Sequence, residues 1–325
     1  MIHISKGGGG DFSTVQAALD SIPVDNKEEM ILFIHKGIYE EQITVKPPHI
    51  TFIGAGETPN DTVLTYGLSA RQLMPDGTKR GTFRSYSCLI DTHDFKACNL
   101  TFQNTAGNAD EAGQALALYV DGDRLHFQNC RFLSGQDTLF TGPLPPKEIE
   151  PGGFIGPKQY SERINGRHLY DHCYIEGDID FVFGSATAYF DECTFHSTPI
   201  DRTINGYVTA ASTAQGQAYG YVMNNCRFTS ASCPAHSVYL GRPWRNFAKT
   251  VLINCYMGPH IHPEGWHDWN KPEARDTVFY AEYQSYGPGA DMERRPDWVV
   301  RLKSEELCYY SKKAVLSGRE GWNLK

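Results

Sequence analysis

A chain of 325 residues, 40% hydrophobic and 21% charged, has ample material for a packed core and is not disordered. A formal charge of −8 offers no basic stripe to a phosphate backbone, which argues against nucleic acid or an anionic membrane as partner. No apolar run approaches the roughly 20 residues that cross a bilayer, and residues 1–10 lack the apolar stretch and cleavage site of a leader, so the sequence as written reads as cytoplasmic, or as secreted if a leader has been removed.

Near the start, Ser13 is placed to cap a short helix in which Val15, Ala18, Leu19 and Ile22 share one face at three- and four-residue spacing. Such a helix would cover one end of whatever follows. The segments MILFIHKGIY and HITFIGAG read as strands, with Gly54 and Gly56 at a turn. From there a short phrase recurs: CNLTF at Cys98, CRFL at Cys130, CYIE at Cys173, CTFH at Cys193, CRFT at Cys226 and CYMG at Cys255. The separations are 32, 43, 20, 33 and 29 residues, so a unit of fixed structure carries loops of varying length. Each unit alternates apolar residues, such as Leu100 and Phe102, between Gly, Asn and Asp turn signals.

Those units read as coils of a solenoid of parallel β type, in which equivalent inward side chains stack into ladders. Nine cysteines, an odd number without CxxC pairs, fit neither a disulfide framework nor a zinc site. Free cysteine behaves as a compact hydrophobe, so the recurrent cysteines are expected to form one such ladder. Residues 141–159 are dense in Pro and Gly and break the pattern; a long loop there, directly after a polar motif, is expected to shape a substrate groove. From about Pro272 the coil pattern is lost and the chain is expected to lie along the outside.

Four polar clusters interrupt the apolar pattern: GQALAL around Gln114, GQDTLF with Gln136 and Asp137, GDIDFVFG with Asp178 and Asp180, and LGRPW with Arg242 and Trp244. A carboxylate inside a strand-like run is costly unless paired. Asp180, ahead of Phe181, Val182 and Phe183, therefore needs a partner, and Arg242 is the obvious one. Gln136 and Asp137 follow the Cys130 phrase and Asp180 follows the Cys173 phrase, which puts them near each other on adjacent coils. On the residues alone, a catalytic constellation and a structural polar network both remain open. His172, in YDHCYI, reads as a turn residue, and neither HExxH nor GxSxG is present. Among the aromatics, Trp244 and Phe181 are the best candidates for substrate contact.

These clusters, together with GGGGDFSTVQAALDSIP at the start, TFQNTAGN at 101–108 and FYAEYQSYGPGA at 279–290, resemble the signature segments of the pectin methylesterases, in order and across nearly the whole chain. The resemblance implies an all-β fold, a single-stranded right-handed parallel β-helix with a short N-terminal capping helix, forming one domain over 1–325. It implies hydrolysis of the C6 methyl esters of homogalacturonan to carboxylate and methanol through an acyl-aspartate. No cofactor or metal is called for, and methyl-esterified pectin or oligogalacturonides would be the partner of a monomer. Residue by residue, Asp180 matches the nucleophile and Asp137 the proton donor that later acts as base. Gln136 and Gln114 match the amides of the oxyanion site, Arg242 the arginine holding the nucleophile, and Trp244 a substrate-contacting aromatic. Ser87 falls where plant members carry a substrate-contacting threonine. Residues 141–159 form a longer connection than plant members have, and GSATAYFDEC also differs, so the chain is expected to stand nearer bacterial members. Its acidic surface is expected to favour highly methylated or short substrates, modestly, because charge is screened beyond roughly 8 Å.

Overall fold

The residue before each recurrent cysteine from the second onward takes the left-handed backbone region: Asn129, His172, Glu192, Asn225 and Asn254 have φ between 49° and 53°. Asparagine tolerates this region because its short polar side chain bonds locally, where a β-branched residue would clash. The kink turns a corner and aims the next side chain inward, so Cys130, Cys173, Cys193, Cys226 and Cys255 are all buried. They stack from coil to coil; the Cys173 N–H points at Cys193 Sγ, 3.4 Å away. His172 is thus a corner residue, exposed and paired with Asp171 and Glu192.

Cys98 departs from the expected ladder. It ends the strand Phe95–Cys98, lies beside Gln128 and is only half-buried. In that coil the corner residue is Asn99 and the inward rung is Leu100, which is fully buried. A thiol suits the strand end as well as the rung, so residue type alone misplaces this coil.

In the computed structural model, which describes residues 1–318 together with 321 and 322, the strands stack in parallel into three sheets. One has 11 strands, from Ile2–Ile4 to Val300–Arg301; one has 8, from Gly37–Glu40 to Tyr256–Met257; one has 7, from Ile43–Val45 to Val238–Gly241. Each coil contributes one strand to each sheet through its central part, which makes the molecule a parallel β-helix. Residues 319–320 and 323–325 of the expected 1–325 domain lie outside the described residues.

The interior is rich in aromatic rings. Phe52, Phe95, Phe127, Tyr170 and Phe190 follow one another through the largest sheet with ring centroids 4.6 to 5.7 Å apart. Each such ring removed from water contributes about 1.5–3 kcal/mol, with further gain from ring pairing.

The helix forms as expected over Val15–Asp20, with Val15, Ala18 and Leu19 buried, and Ile22 buried just beyond it. Its cap is Thr14 rather than Ser13: Thr14 Oγ1 accepts from the Ala17 N–H. Glu41 accepts from the Val15 and Gln16 N–H groups, and Gln16 pairs with the Thr44 backbone, which fixes the helix over the end of the coil stack.

At the other end the coil pattern runs further than the sequence suggests. Phe279–Tyr283 pairs with Lys249–Ile253, and Val300–Arg301 follows it. The corner there is Gln284, φ 46°, and Ser285 takes the place of a cysteine, so the repeated phrase is missing while the geometry persists. Only the last stretch packs outside, where Val315 and Leu316 cover Leu169, Tyr189 and Val222.

Candidate active site

The 7-stranded sheet carries the polar clusters. Ile179–Gly184 pairs with Leu139–Thr141 on one side and Gly206–Ala211 on the other, and the second pairing slips between Ile179 and Val182. That bulge changes which side chains face out. Phe181 and Val182 both enter the interior, while Phe183 joins an outer aromatic cluster with Phe83, Phe140 and Trp244. Phe181 is fully buried and does not border the cleft, so the expectation that it contacts substrate is corrected; Phe183, two residues on, lines the cleft instead. Ser87 is also buried, with its hydroxyl donating to Tyr66 O, and it too stays outside the cleft. Thr82 and Phe83, from the short 3₁₀ turn Thr82–Arg84, line the wall instead.

Asp180 and Asp137 both adopt the left-handed region, with φ of 51° and 64°. For a residue with a Cβ this costs of order 1–2 kcal/mol and persists only where the surroundings over-determine it. Here they do: Asp137 N–H donates to Ile179 O, and Phe181 anchors the bulge from inside. Both carboxylates consequently project from the sheet into one cleft of about 480 Å³, lined also by Gln114, Gln136, Arg242 and Trp244. Gln114 and Gln136 bridge in parallel through their backbones on adjacent coils, and both residues line the cleft.

Arg242 Nε donates to Asp180 Oδ1 at 2.9 Å and Nη2 to Oδ2 at 2.7 Å, a two-point grip on the carboxylate. Its guanidinium lies between two rings, 3.8 Å from the centre of Tyr207 and 3.7 Å from that of Trp269. Burial pushes both carboxyls up. For Asp180 the Arg242 charge and hydrogen bonds pull it back; for Asp137 the nearby Asp180 charge adds to burial and holds it well above the ordinary carboxylate range. Of the two, Asp137 is the one whose surroundings favour the proton, and Asp180 the one with a cation beside it to favour the anion.

Asp178, neighbour of the pair in sequence, has a different task. It is fully buried and accepts from the Ala109 and Ile179 N–H groups, tying the turn before Gln114 to the strand that carries Asp180. His49, His93 and Asp94 form the one cluster of metal-type side chains among the described residues, but they lie away from the cleft and Arg124 already grips both Asp94 oxygens.

The Pro/Gly-rich loop does wall the cleft. Phe154 packs against Trp244 and Phe83, at 6.1 and 5.8 Å between ring centres, and Ile149, Glu150 and Gly153 line the same side. Arg163 donates to the carbonyls of Lys158, Gln159 and Ser161, and Lys158 pairs with Asp91, so both sides of the loop's return are fastened.

Residues 1–143 and 160–319 match the family model described as Pectinesterase. The chain belongs to the pectinesterase family. These are carboxylic ester hydrolases, and pectin methylesterase is the activity that goes with membership. Among its relatives, pectinesterase QRT1 of Arabidopsis thaliana is 34% identical, over 94% of this chain and 74% of that protein. Pectinesterase 31 of the same plant is 34% identical over 95% of this chain and 90% of its own length. The solved carrot pectin methylesterase superposes with a TM-score of 0.82 at 30% identity, covering 98% of this chain and 93% of the carrot chain. PemA from Erwinia chrysanthemi gives 0.79 at 29%, covering 100% and 98%. The expected closeness to bacterial members is thus unsupported: plant relatives match this pectinesterase at least as well. The family model passes over residues 144–159, so the loop that walls the cleft is an insertion relative to the family pattern.

Proposed function

We propose that this pectinesterase hydrolyses the C6 methyl esters of homogalacturonan through an acyl-aspartate intermediate on Asp180, with Asp137 as acid and then base. The observation that carries the reading is the unequal pair: one buried carboxylate gripped by Arg242, the other buried beside it without such a grip, its proton affinity raised by burial and by the Asp180 charge. Two carboxyls whose environments separate their proton affinities divide the acid and nucleophile roles.

Asp180 attacks the ester carbonyl carbon as carboxylate. The side-chain amides of Gln114 and Gln136 receive the oxyanion, each well-placed donor contributing about 3 kcal/mol. As the tetrahedral centre collapses, Asp137 gives its proton to the methoxy oxygen and methanol leaves, producing a mixed anhydride between Asp180 and galacturonate. Asp137, now ionised, takes a proton from water as that water attacks the galacturonyl carbonyl. The anhydride opens, Asp180 returns as carboxylate, Asp137 is again protonated, and galacturonic acid is released to ionise in solution.

Trp244 and Phe183 present ring faces suited to the apolar faces of a sugar. A solved pectin methylesterase with 29% identity and a TM-score of 0.79 is in complex with a hexasaccharide, which supports an oligogalacturonide as occupant of the same cleft. All of the reacting groups come from one chain, so a monomer suffices. The decisive comparison is methanol release from highly methyl-esterified pectin by the parent and by Asp180→Asn. The parent is expected to release methanol and the variant to lose at least about a thousandfold in rate. Equal rates in the two proteins would remove Asp180 from the nucleophile role.

A further inference from the structure

The stretch 144–159, which the family pattern lacks, draws its shape largely from its own polar groups. Glu148 accepts from the Gly152 and Phe154 N–H groups, and Arg163 gathers the carbonyls of Pro145, Lys158, Gln159 and Ser161 at the base. On the outgoing limb Lys147 O accepts from Arg245. On the returning limb, and alone in the stretch among the described residues, Lys158 makes an ion pair with the coil stack. Its ammonium meets Asp91 Oδ1 and lies 3.9 Å from Asp121 Oδ2, with the side chain only 15% exposed. The two aspartates are stacked: they follow Ile90 and Val120, which pair in register on adjacent coils, and the Asp121 N–H donates to Ile90 O. Like charges so placed repel, and Asp121 is also buried. Burial pushes its carboxyl up to about 6, against the pull of Lys158, with Asp91 raising it further and Arg163 lowering it from a greater distance. An acidic pair of this kind is tolerable because the insertion brings the lysine to it.

Both limbs of the excursion meet this cluster. Gly142, where the chain leaves the sheet, packs so closely on Asp121 that a Cβ would come within 2.7 Å of its Cγ. Gly156, two residues before Lys158, lies against Phe83, where a Cβ would stand 2.8 Å from both the Phe83 Cβ and its carbonyl oxygen. Phe83 lines the cleft and packs on Phe154, whose ring in turn meets Trp244. The charge on Lys158 is thus connected, through Gly156 and two rings, to the surface a ligand would touch. We propose that Lys158, clasped by Asp91 and Asp121, is a positioning residue: it seats Gly156 against Phe83 and sets the Phe154 wall, and so governs how tightly the sugar chain is held while leaving the reacting carboxylates untouched. The role in substrate binding rests on the esterase reading above; the seating of the loop does not.

The parent is compared with Lys158→Met, which keeps the stem and drops the charge, and with Lys158→Arg, which keeps the charge. Hydrogen exchange is read in peptides from 144–157, and methanol release is resolved into kcat and KM on a methyl-esterified hexagalacturonate. In Lys158→Met the loop amides are expected to exchange at least about tenfold faster, as loss of one charge-assisted contact allows. KM is expected to rise about fivefold, the worth of one displaced aromatic contact, with kcat within about twofold of the parent. Lys158→Arg is expected to stay nearer the parent in both measurements. Asp91→Asn is expected to speed exchange in the same direction, and to add little when combined with Lys158→Met, because the contact is already gone. Unchanged exchange in Lys158→Met, equal losses in the Met and Arg variants, or an unchanged KM beside a lowered melting temperature would each overturn the positioning role. A parent that released no methanol from any ester would sink the esterase reading instead, and exchange alone would then decide whether Lys158 seats the loop.

Discussion

In the proposed mechanism Asp137 and Asp180 need opposite protonation states, and this would set the response of activity to pH. Asp180 must be ionised to attack, and its proton affinity is raised by burial, with Arg242 opposing. Asp137 must be protonated, and burial together with the Asp180 charge raises it well above the ordinary carboxylate range. Activity is therefore expected to rise with pH as Asp180 loses its proton and to fall as pH passes upward through the higher value of Asp137. Initial rates across pH on a short methylated oligomer test this, and an activity that stayed flat through the alkaline limb would exclude Asp137 as the acid. The same residues explain what could be read from the chain. Asp180 and Arg242 stood out because a carboxylate within an apolar run has to be paired, and the pairing is local to the coil register. Phe181 and Phe183 were exchanged because simple alternation fails at a bulge, and nothing in the letters IDFVFG marks where the slip falls. Thr82, Phe83, Lys271 and Trp269 went unrecognised because they reach the cleft from turns and loops outside the polar motifs.

At the scale of the element, the ladder of corner and rung governs the thiols. Cys130, Cys173 and Cys193 sit in full burial with their proton affinity pushed well up, and thiolate is the reactive form. Under native conditions a thiol reagent is expected to modify the exposed Cys308 quickly and the half-buried Cys98 and Cys233 more slowly. The rung cysteines are expected to react only with the unfolding transition, as peptide mass spectrometry of partially labelled protein would report. Labelling of Cys173 or Cys193 at the rate of Cys308 would contradict the ladder. The repeat was legible because one residue type marks most rungs; it was misread at Cys98 and lost at Ser285, where the corner persists and the marker changes. Elements defined by geometry tolerate such substitutions, so a search by residue type undercounts coils at both ends of the series.

For the whole molecule, stability is carried between neighbouring coils, and the ends are where an open edge must be closed. The helix Val15–Asp20 does this at the N-terminal end, burying Val15, Ala18 and Leu19 near Ile43–Val45. Val15→Asp puts an unpaired carboxylate under that cap and is expected to cost about 3 kcal/mol or more. It should also promote association through the uncovered coil, read as a lower melting temperature and greater light scattering at rising protein concentration. A melting temperature within a degree or so of the parent would mean that the helix does not close the end. The amphipathic spacing of this helix was plain from sequence, since its contacts lie a short way along the chain. The course of the last strands was less so: Phe279–Tyr283 and Val300–Arg301 each pair with the strand just before them, but no recurrent cysteine marks their coils.

The excursion over 144–159 leaves from the strand Leu139–Thr141 and the chain re-enters the stack at Arg167–Asp171, each already locked in register with its neighbours. It behaves as a cassette clipped between two fixed rungs. Exchanging it for another segment of different length and charge would redraw the far side of the binding surface while leaving Asp137, Asp180 and Arg242 where they are. In this architecture, selectivity can drift through evolution, or be engineered, without reopening the question of how the ester is cut.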